Sequence, residues 1–319
     1  MPDTTRSDAE TTSTTTGPAT GAGSGGGGST EREFTVAQRS QAQMVLKRFL
    51  QHRLAVGSLI VLACVLLLAF VGDLLWKYDV ADITDSESQP PSWEHPFGTD
   101  AVGHDAFAQV LRGTQVSMGV AVLVAVFSTL VGTIWGAVAG YYRGWLDTIL
   151  MRIADLVLTL PLLAVAAVLG ASAGGSWWLI ALVIAGLYWA YVSRVARGVV
   201  LSLREKEFIE ASKALGASDT RIIFKHLVPN ALGSVIVNAT ILVAIAILIE
   251  TALSFLGFGV QPPDTSLGLL VSNNQTAVST RPWLFYFPGL FIIVIALTIN
   301  FIGDGLRDAF DPQQTKVRA

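Results

Sequence analysis

The sequence has 319 residues, of which Asp, Glu, Lys and Arg make up 14% against about 25% in soluble domains. Hydrophobic residues reach 52%, mean hydropathy is +0.55, and residues 54–72, 113–142, 156–193, 226–249 and 282–303 carry none of those four charged types. Apolar runs of about 18 residues or more cross a bilayer as helices, so the chain is read as an integral membrane protein and a soluble enzyme is excluded. A net charge of −3 without a basic patch gives nucleic acid nothing to bind.

Residues 1–37, rich in Thr, Ser and Gly, are read as a disordered cytoplasmic tail, because such a composition buries too little apolar area to offset ordering entropy. Residues 38–55 form a short basic amphipathic lead-in with Lys47, Arg48 and Arg53 beside the membrane. Some fifty residues precede the first apolar run, so the first span is expected to insert uncleaved. The single cysteine, Cys64, lies in that run and excludes intrachain disulfides and cysteine-based metal sites.

Six spans are predicted within a 56–306 domain, at about 54–76, 115–141, 149–170, 176–193, 231–256 and 284–304. The stretch 149–193 is twice the length of one helix, and Gly170–Gly175 divides it. Gly132, Gly136 and Gly140 put three small residues on one face of span two. That stripe fits either close helix approach or the general abundance of glycine in membrane helices. Pro161 should kink span three. Of the 21 Lys and Arg, 18 fall in residues 1–55, the 142–152 turn, the 194–230 loop and the 307–319 tail, leaving Lys77, Arg112 and Arg281 opposite. The positive-inside rule then places both termini in the cytoplasm.

The 194–230 loop is predicted to hold two short helices. Phe208, Ala211, Ser212 and Leu215 recur at helical spacing opposite Lys206, Glu207, Glu210 and Lys213, and Gly216 follows where a helix must end in positive φ. Ser218 or Asp219 starts a second helix carrying Ile222, Ile223 and Leu227, expected to stop at Pro229. An ordinary interfacial helix fits the spacing equally well.

The residue pattern adds more. Glu210-Ala211-Ser212, then Gly216 and Ala217, then Ile222 and Pro229, resembles the EAA loop of bacterial ABC-importer permeases. In that family the loop forms the coupling helix that docks on the ATP-binding subunit. Four further segments resemble the C-type permease of dipeptide/oligopeptide importers: His95 to Asp100 with Gly103 and Asp105; Met151-Arg152 with Asp155 and Pro161; Glu250 to Gly257 with Gln261-Pro262-Pro263; and Gly303 to Asp308 with Asp311-Pro312. His104 stands where that branch usually has arginine, and Leu267 where tryptophan is common.

The resemblance implies an all-α membrane protein with the six-span type I ABC-importer permease fold. It implies a multi-pass subunit of the bacterial inner membrane that carries peptides. Nickel chelates, haem or antimicrobial peptides are cargoes of related systems. The implied partners are a homologous B-type permease, ATP-binding subunits that hold ATP and Mg, an extracytoplasmic binding protein, and membrane lipid. Phe97, Asp100, His104, Asp105, Gln261, Pro262 and Pro263 fall where the binding protein would dock.

The chain itself offers little chemistry. It has no Gly-x-x-x-x-Gly-Lys-Ser/Thr phosphate loop and no HExxH, and only four histidines. No catalytic residue, cofactor or metal is assigned. His95, Asp100, His104 and Asp105 fit no standard metal spacing and read as turn and cap residues. Asp155 and Glu250, the acids inside apolar stretches, read as structural or gating residues of the path together with Pro161. Asp155 has an easy local ion pair with Arg152, while Glu250 faces either the water-filled path or a subunit interface. The rival reading is an ion-coupled secondary transporter using these two acids.

Overall fold

The computed structural model describes residues 41–310 apart from Ala173. The tail at 1–37, the first residues of the lead-in and 311–319, including Asp311-Pro312, lie outside the described residues. The helices are α1 (Gln41–Gln51), α2 (Arg53–Leu75), α3 (Ala106–Tyr142), α4 (Gly144–Thr159), α5 (Leu162–Ser172), α6 (Trp177–Arg204), α7 (Glu207–Ala214), α8 (Asp219–Phe255), α9 (Leu267–Asn273) and α10 (Trp283–Phe310). Strand pairing among the described residues is limited to isolated bridges in the segment before α3.

Among the described residues five of these helices are individually long and apolar enough to span a membrane, and α4 with α5, bent by 83° between them, is apolar enough to count as a sixth when the bent pair is taken as one span. The break is sharper than a kink and has a local cause. Leu160, ahead of Pro161, takes φ −71° and ψ 136°, the extended conformation that a following proline ring imposes. Gly174 and Gly175, both at positive φ, then turn the chain into α6.

Several helices outrun their apolar runs. Asp105 caps α3, its Oδ2 accepting from Ala108 N–H at 2.9 Å, so that helix begins nine residues ahead of the expected span. Helix α6 continues to Arg204, which reduces the expected 194–230 loop to 205–218. Pro229 does not stop the second helix, which runs unbroken from Asp219 to Phe255. A wide turn over Ile222–Leu227, in which Val228 N–H bonds Ile223 C=O, makes room for a ring that would clash with the carbonyl of an ordinary turn.

The core is the α3–α6–α8 packing, with Val120, Val124, Ile180, Ile184, Ile247 and Leu253 buried in one cluster. The glycine stripe belongs to it. A Cβ at Gly132 would meet Trp189 C=O and Val192 Cβ at 2.6 Å, one at Gly140 would meet Val200 Cγ1 at 3.0 Å, and one at Gly136 would run into Ser193 C=O. The stripe is therefore a close-approach surface for α6. At the other side of the bundle Phe49 and Ala55 pack on Ile302 and Ala309. Gly233 lies under Phe310, so both described chain ends sit toward the N-terminal half of α8.

Candidate functional site

At that end, α7 and the bend after it form a fixed projection. Gly216 takes φ +77° and has open space where a Cβ would be, so its glycine is required by backbone conformation and not by crowding. Ala217 N–H closes the bend onto Ser212 C=O at 3.1 Å, with Gly216 N–H on Lys213 C=O at 2.9 Å, the pattern that satisfies terminal helix carbonyls. Ser212 Oγ adds a bond to Phe208 C=O at 2.7 Å. Ile209, fully buried against Ile222 and Leu227, is the anchor. Of the predicted apolar face, Phe208, Ala211 and Leu215 are exposed, Leu215 by 88%, and Ser212 is half-buried; Glu210, from the predicted polar side, is exposed as well. Helix α7 thus presents an apolar-and-acidic surface outward on a rigid base.

At the opposite end Glu250 is 0% exposed, although the sequence reading set it on the water-filled path or a subunit interface. It accepts hydrogen bonds from Ser266 Oγ at 2.7 Å, Ser254 Oγ at 2.8 Å and Ser117 Oγ at 3.4 Å. A carboxyl cannot be buried without such partners, and three hydroxyls from α3, α8 and the start of α9 supply them. Glu250 is a packing hub. Leu267, beside it, is also fully buried, so it offers a docking protein nothing.

The segment between α2 and α3 is knotted inward in the same way. Asp105, 0% exposed, accepts from Trp76 Nε1 at 2.9 Å and lies 2.8 Å from His95 Nδ1. Asp100 Oδ1 accepts from the N–H groups of Val102, Gly103 and His104, each at 2.9 Å, while its Oδ2 lies 2.9 Å from His104 Nδ1. Phe97 stacks on Phe287 with centroids 3.9 Å apart. Of the predicted docking residues, Asp105 is therefore internal and Phe97, Asp100 and His104 are half-buried supports. Pro262 and Pro263 are exposed, and Gln261 N–H bonds Gly175 C=O at 3.1 Å. Trp93 is fully exposed, and no motif marks it in the sequence.

Asp155 pairs with Arg194 of α6, whose Nε donates at 3.1 Å and whose NH2 donates to the same oxygen. This pair across the α4–α6 groove stands in place of the expected one with Arg152, and the guanidinium gives the carboxylate two charge-assisted donors. Arg197 makes a bidentate pair with Asp147 at 2.6 and 2.7 Å. Together these four residues with Thr148 and Met151 line a polar cleft of about 400 Å³.

Residues 132–316 match the binding-protein-dependent transport system inner membrane component family. The chain belongs to that family. Its residues 40–91 also match the N-terminal membrane domain of oligopeptide transport permease C. It is 42% identical over 283 residues to the oligopeptide transport system permease protein OppC of Mycobacterium tuberculosis, covering 88% of this chain and 97% of that one. Identity to the protein of the same name in Bacillus subtilis is 38%, over 84% and 88% of the two chains. In architecture it resembles a solved chain of the inward-facing MetNI methionine ABC transporter, with TM-score 0.52 at 18% identity over 64% of this chain and 97% of that one. The fold is that of type I ABC-importer permeases, and α7 with its glycine bend occupies the stretch that resembles the EAA loop.

Proposed function

We propose that this permease forms half of the translocation path of an ATP-driven importer for peptides, with α7 as the docking point of the motor. The observation that carries this is the outward face of α7, held rigid from behind by Ile209 and closed by the Gly216 bend. The Lys and Arg bias puts that end in the cytoplasm, where ATP-binding subunits holding ATP and Mg reach it. The exposed Trp93, Pro262 and Pro263 then face the extracytoplasmic binding protein. A homologous second permease closes the path. Exposed ion pairs are not set against lipid tails, so the cleft of Asp147, Asp155, Arg194 and Arg197 faces the aqueous route or that second subunit. Peptide is the favoured cargo because the curated relatives quoted above bear that name.

Reconstitution in liposomes tests the reading. Uptake of a labelled peptide should require ATP, the binding protein, both permeases and the ATPase subunits, and the purified chain alone should hydrolyse no ATP above background. Ion-driven peptide flux by this chain alone would overturn it in favour of a secondary transporter.

A further inference from the structure

Four elements meet at one aromatic side chain. Tyr141, the penultimate residue of α3, is 6% exposed. Its hydroxyl donates to Asp219 Oδ1 at 2.5 Å, and Asp219 is the first residue of α8. Arg204, the last residue of α6, donates through NH1 to the Tyr141 carbonyl and holds its Cζ 5.7 Å from the ring centroid. From α7, Lys213 Nζ lies 5.4 Å from the same centroid. Beneath the ring, Ala137, Val200, Ile209, Ile222 and Leu227 form a small core separate from the main one. Two residues further on, Arg143 pairs with Glu205. The 205–218 connection is thus bolted to the end of α3, a helix it does not follow in sequence.

Building on the motor-docking role above, we propose that Tyr141 is the positioning residue that transmits displacement of α7 to the spanning helices, clamping the connection and the start of α8 to α3. The geometry suits that task. A short hydroxyl–carboxylate bond resists separation, and cations over an aromatic face add attraction without fixing one rotamer. A push on α7 that is not lost in the Gly216 bend reaches the start of α8 through Ile209, and the Tyr141 ring adds the directional tie that makes α3 move with it. Without the clamp, α7 can follow the motor while α3 stays behind.

The test uses the full importer, with both permeases, the ATPase subunits and the binding protein, in nanodiscs. Tyr141→Phe removes one oxygen and keeps the ring. It should raise the ATP hydrolysed per peptide imported about fivefold, the equilibrium equivalent of one lost hydrogen bond, while the ATPase subunits still co-purify. Asp219→Ala should do the same, the double variant should be no worse than either single one, and Asp219→Asn, whose amide oxygen still accepts, should return the ratio toward that of the parent. A purely structural role would instead lower the yield of assembled complex at an unchanged ratio. An unchanged ratio in Tyr141→Phe, or strictly additive losses, would overturn the proposal.

A second measurement does not depend on cargo or on transport. Spin labels at Leu215→Cys and Val126→Cys, in a Cys64→Ser background, should give a narrow distance distribution in the parent and a broad one in Tyr141→Phe. Equal distributions would overturn the clamp. Failure of the assembled parent to import any peptide would count against the function proposed above and leave this distance result standing.

Discussion

Ser266 Oγ donates to Glu250 Oε1 at 2.7 Å and accepts from Leu269 N–H at 3.1 Å. One hydroxyl thereby caps α9 and satisfies an acid buried in α8. Close approach is built in around it: a Cβ at Gly268 would meet Thr251 Cα at 2.6 Å, and one at Gly113 would meet Leu267 N at 3.1 Å. Ser117 completes the joint, accepting from Leu267 N–H at 3.1 Å. Helix α9 is thus fastened to α3 and α8 through side chains that sequence reading would place on three unrelated segments.

Glu250→Ala should destabilise the permease by about 3 kcal/mol or more, since it leaves a cavity and three buried hydroxyls without their acceptor. Glu250→Gln keeps one oxygen for Ser254 and Ser266 and turns an amide toward Ser117, so its loss should stay under about 1.5 kcal/mol. Thermal unfolding in detergent measures both. Limited proteolysis should show the 262–281 segment opening first in the alanine variant; equal melting of the two variants would count against the hub.

The glycine stripe predicts a contrast between two glycines. At Gly136 an added Cβ would run into Ser193 C=O and come within 2.8 Å of Arg197 N, and backbone atoms of a neighbouring helix cannot swing aside. Gly136→Ala should therefore cost about 2–3 kcal/mol through forced separation of α3 and α6. At Gly186 nothing lies within 4 Å of the added atom, so Gly186→Ala should be neutral or stabilising by up to about 1 kcal/mol. Melting of the two purified variants compares them directly.

The segment before α3 should be acid-sensitive. Burial pushes the Asp100 carboxyl up, but hydrogen bonds from the His104 amide and ring and the Val102 amide outweigh it and hold the group below the usual aspartate range. A depressed folded value contributes stability that is complete above the unfolded value of about 3.9 and is lost as pH falls through the lower folded one. Melting of the permease should thus weaken below about pH 4. Asp100→Asn should lower stability by about 1–2 kcal/mol at pH 7 and flatten that acid limb; an unaltered acid limb would assign it to other carboxylates.

What the residue pattern revealed and what it hid divide along a physical line. Charge-free runs coincide with the five helices long and apolar enough to cross a bilayer, because the bilayer imposes length and apolarity on each helix by itself, and the Gly216 bend is legible because positive φ is a local demand. Helix ends are not, since α3 begins ahead of its charge-free run and α6 continues past its own, where hydropathy no longer marks the boundary. The partners of Asp155 and Glu250 were hidden for another reason. Arg194, Ser117 and Ser266 stand 39, 133 and 16 residues away in the chain, and only packing brings them together. Ile209 is indistinguishable from Phe208 in the pattern because an eight-residue helix fits more than one apolar face. Tyr141 carried no signal at all, being one more aromatic at a membrane edge.

Gly216→Val should separate the motor from the path. At φ +77° an ordinary L-residue is disfavoured by roughly 1–2 kcal/mol and a β-branched one by more. Because open space surrounds the position, the variant relieves that strain by changing the bend and not by pushing on neighbours. Helix α7 then leaves the direction fixed by Ala217 and Ser212 while α3, α6 and α8 keep their packing. The variant should insert and melt like the parent, yet lose peptide uptake or release the ATPase subunits on purification. Gly216→Asn, which tolerates positive φ better, should keep more uptake than valine. Uptake at the parental rate in Gly216→Val would show that the direction of α7 does not matter for coupling.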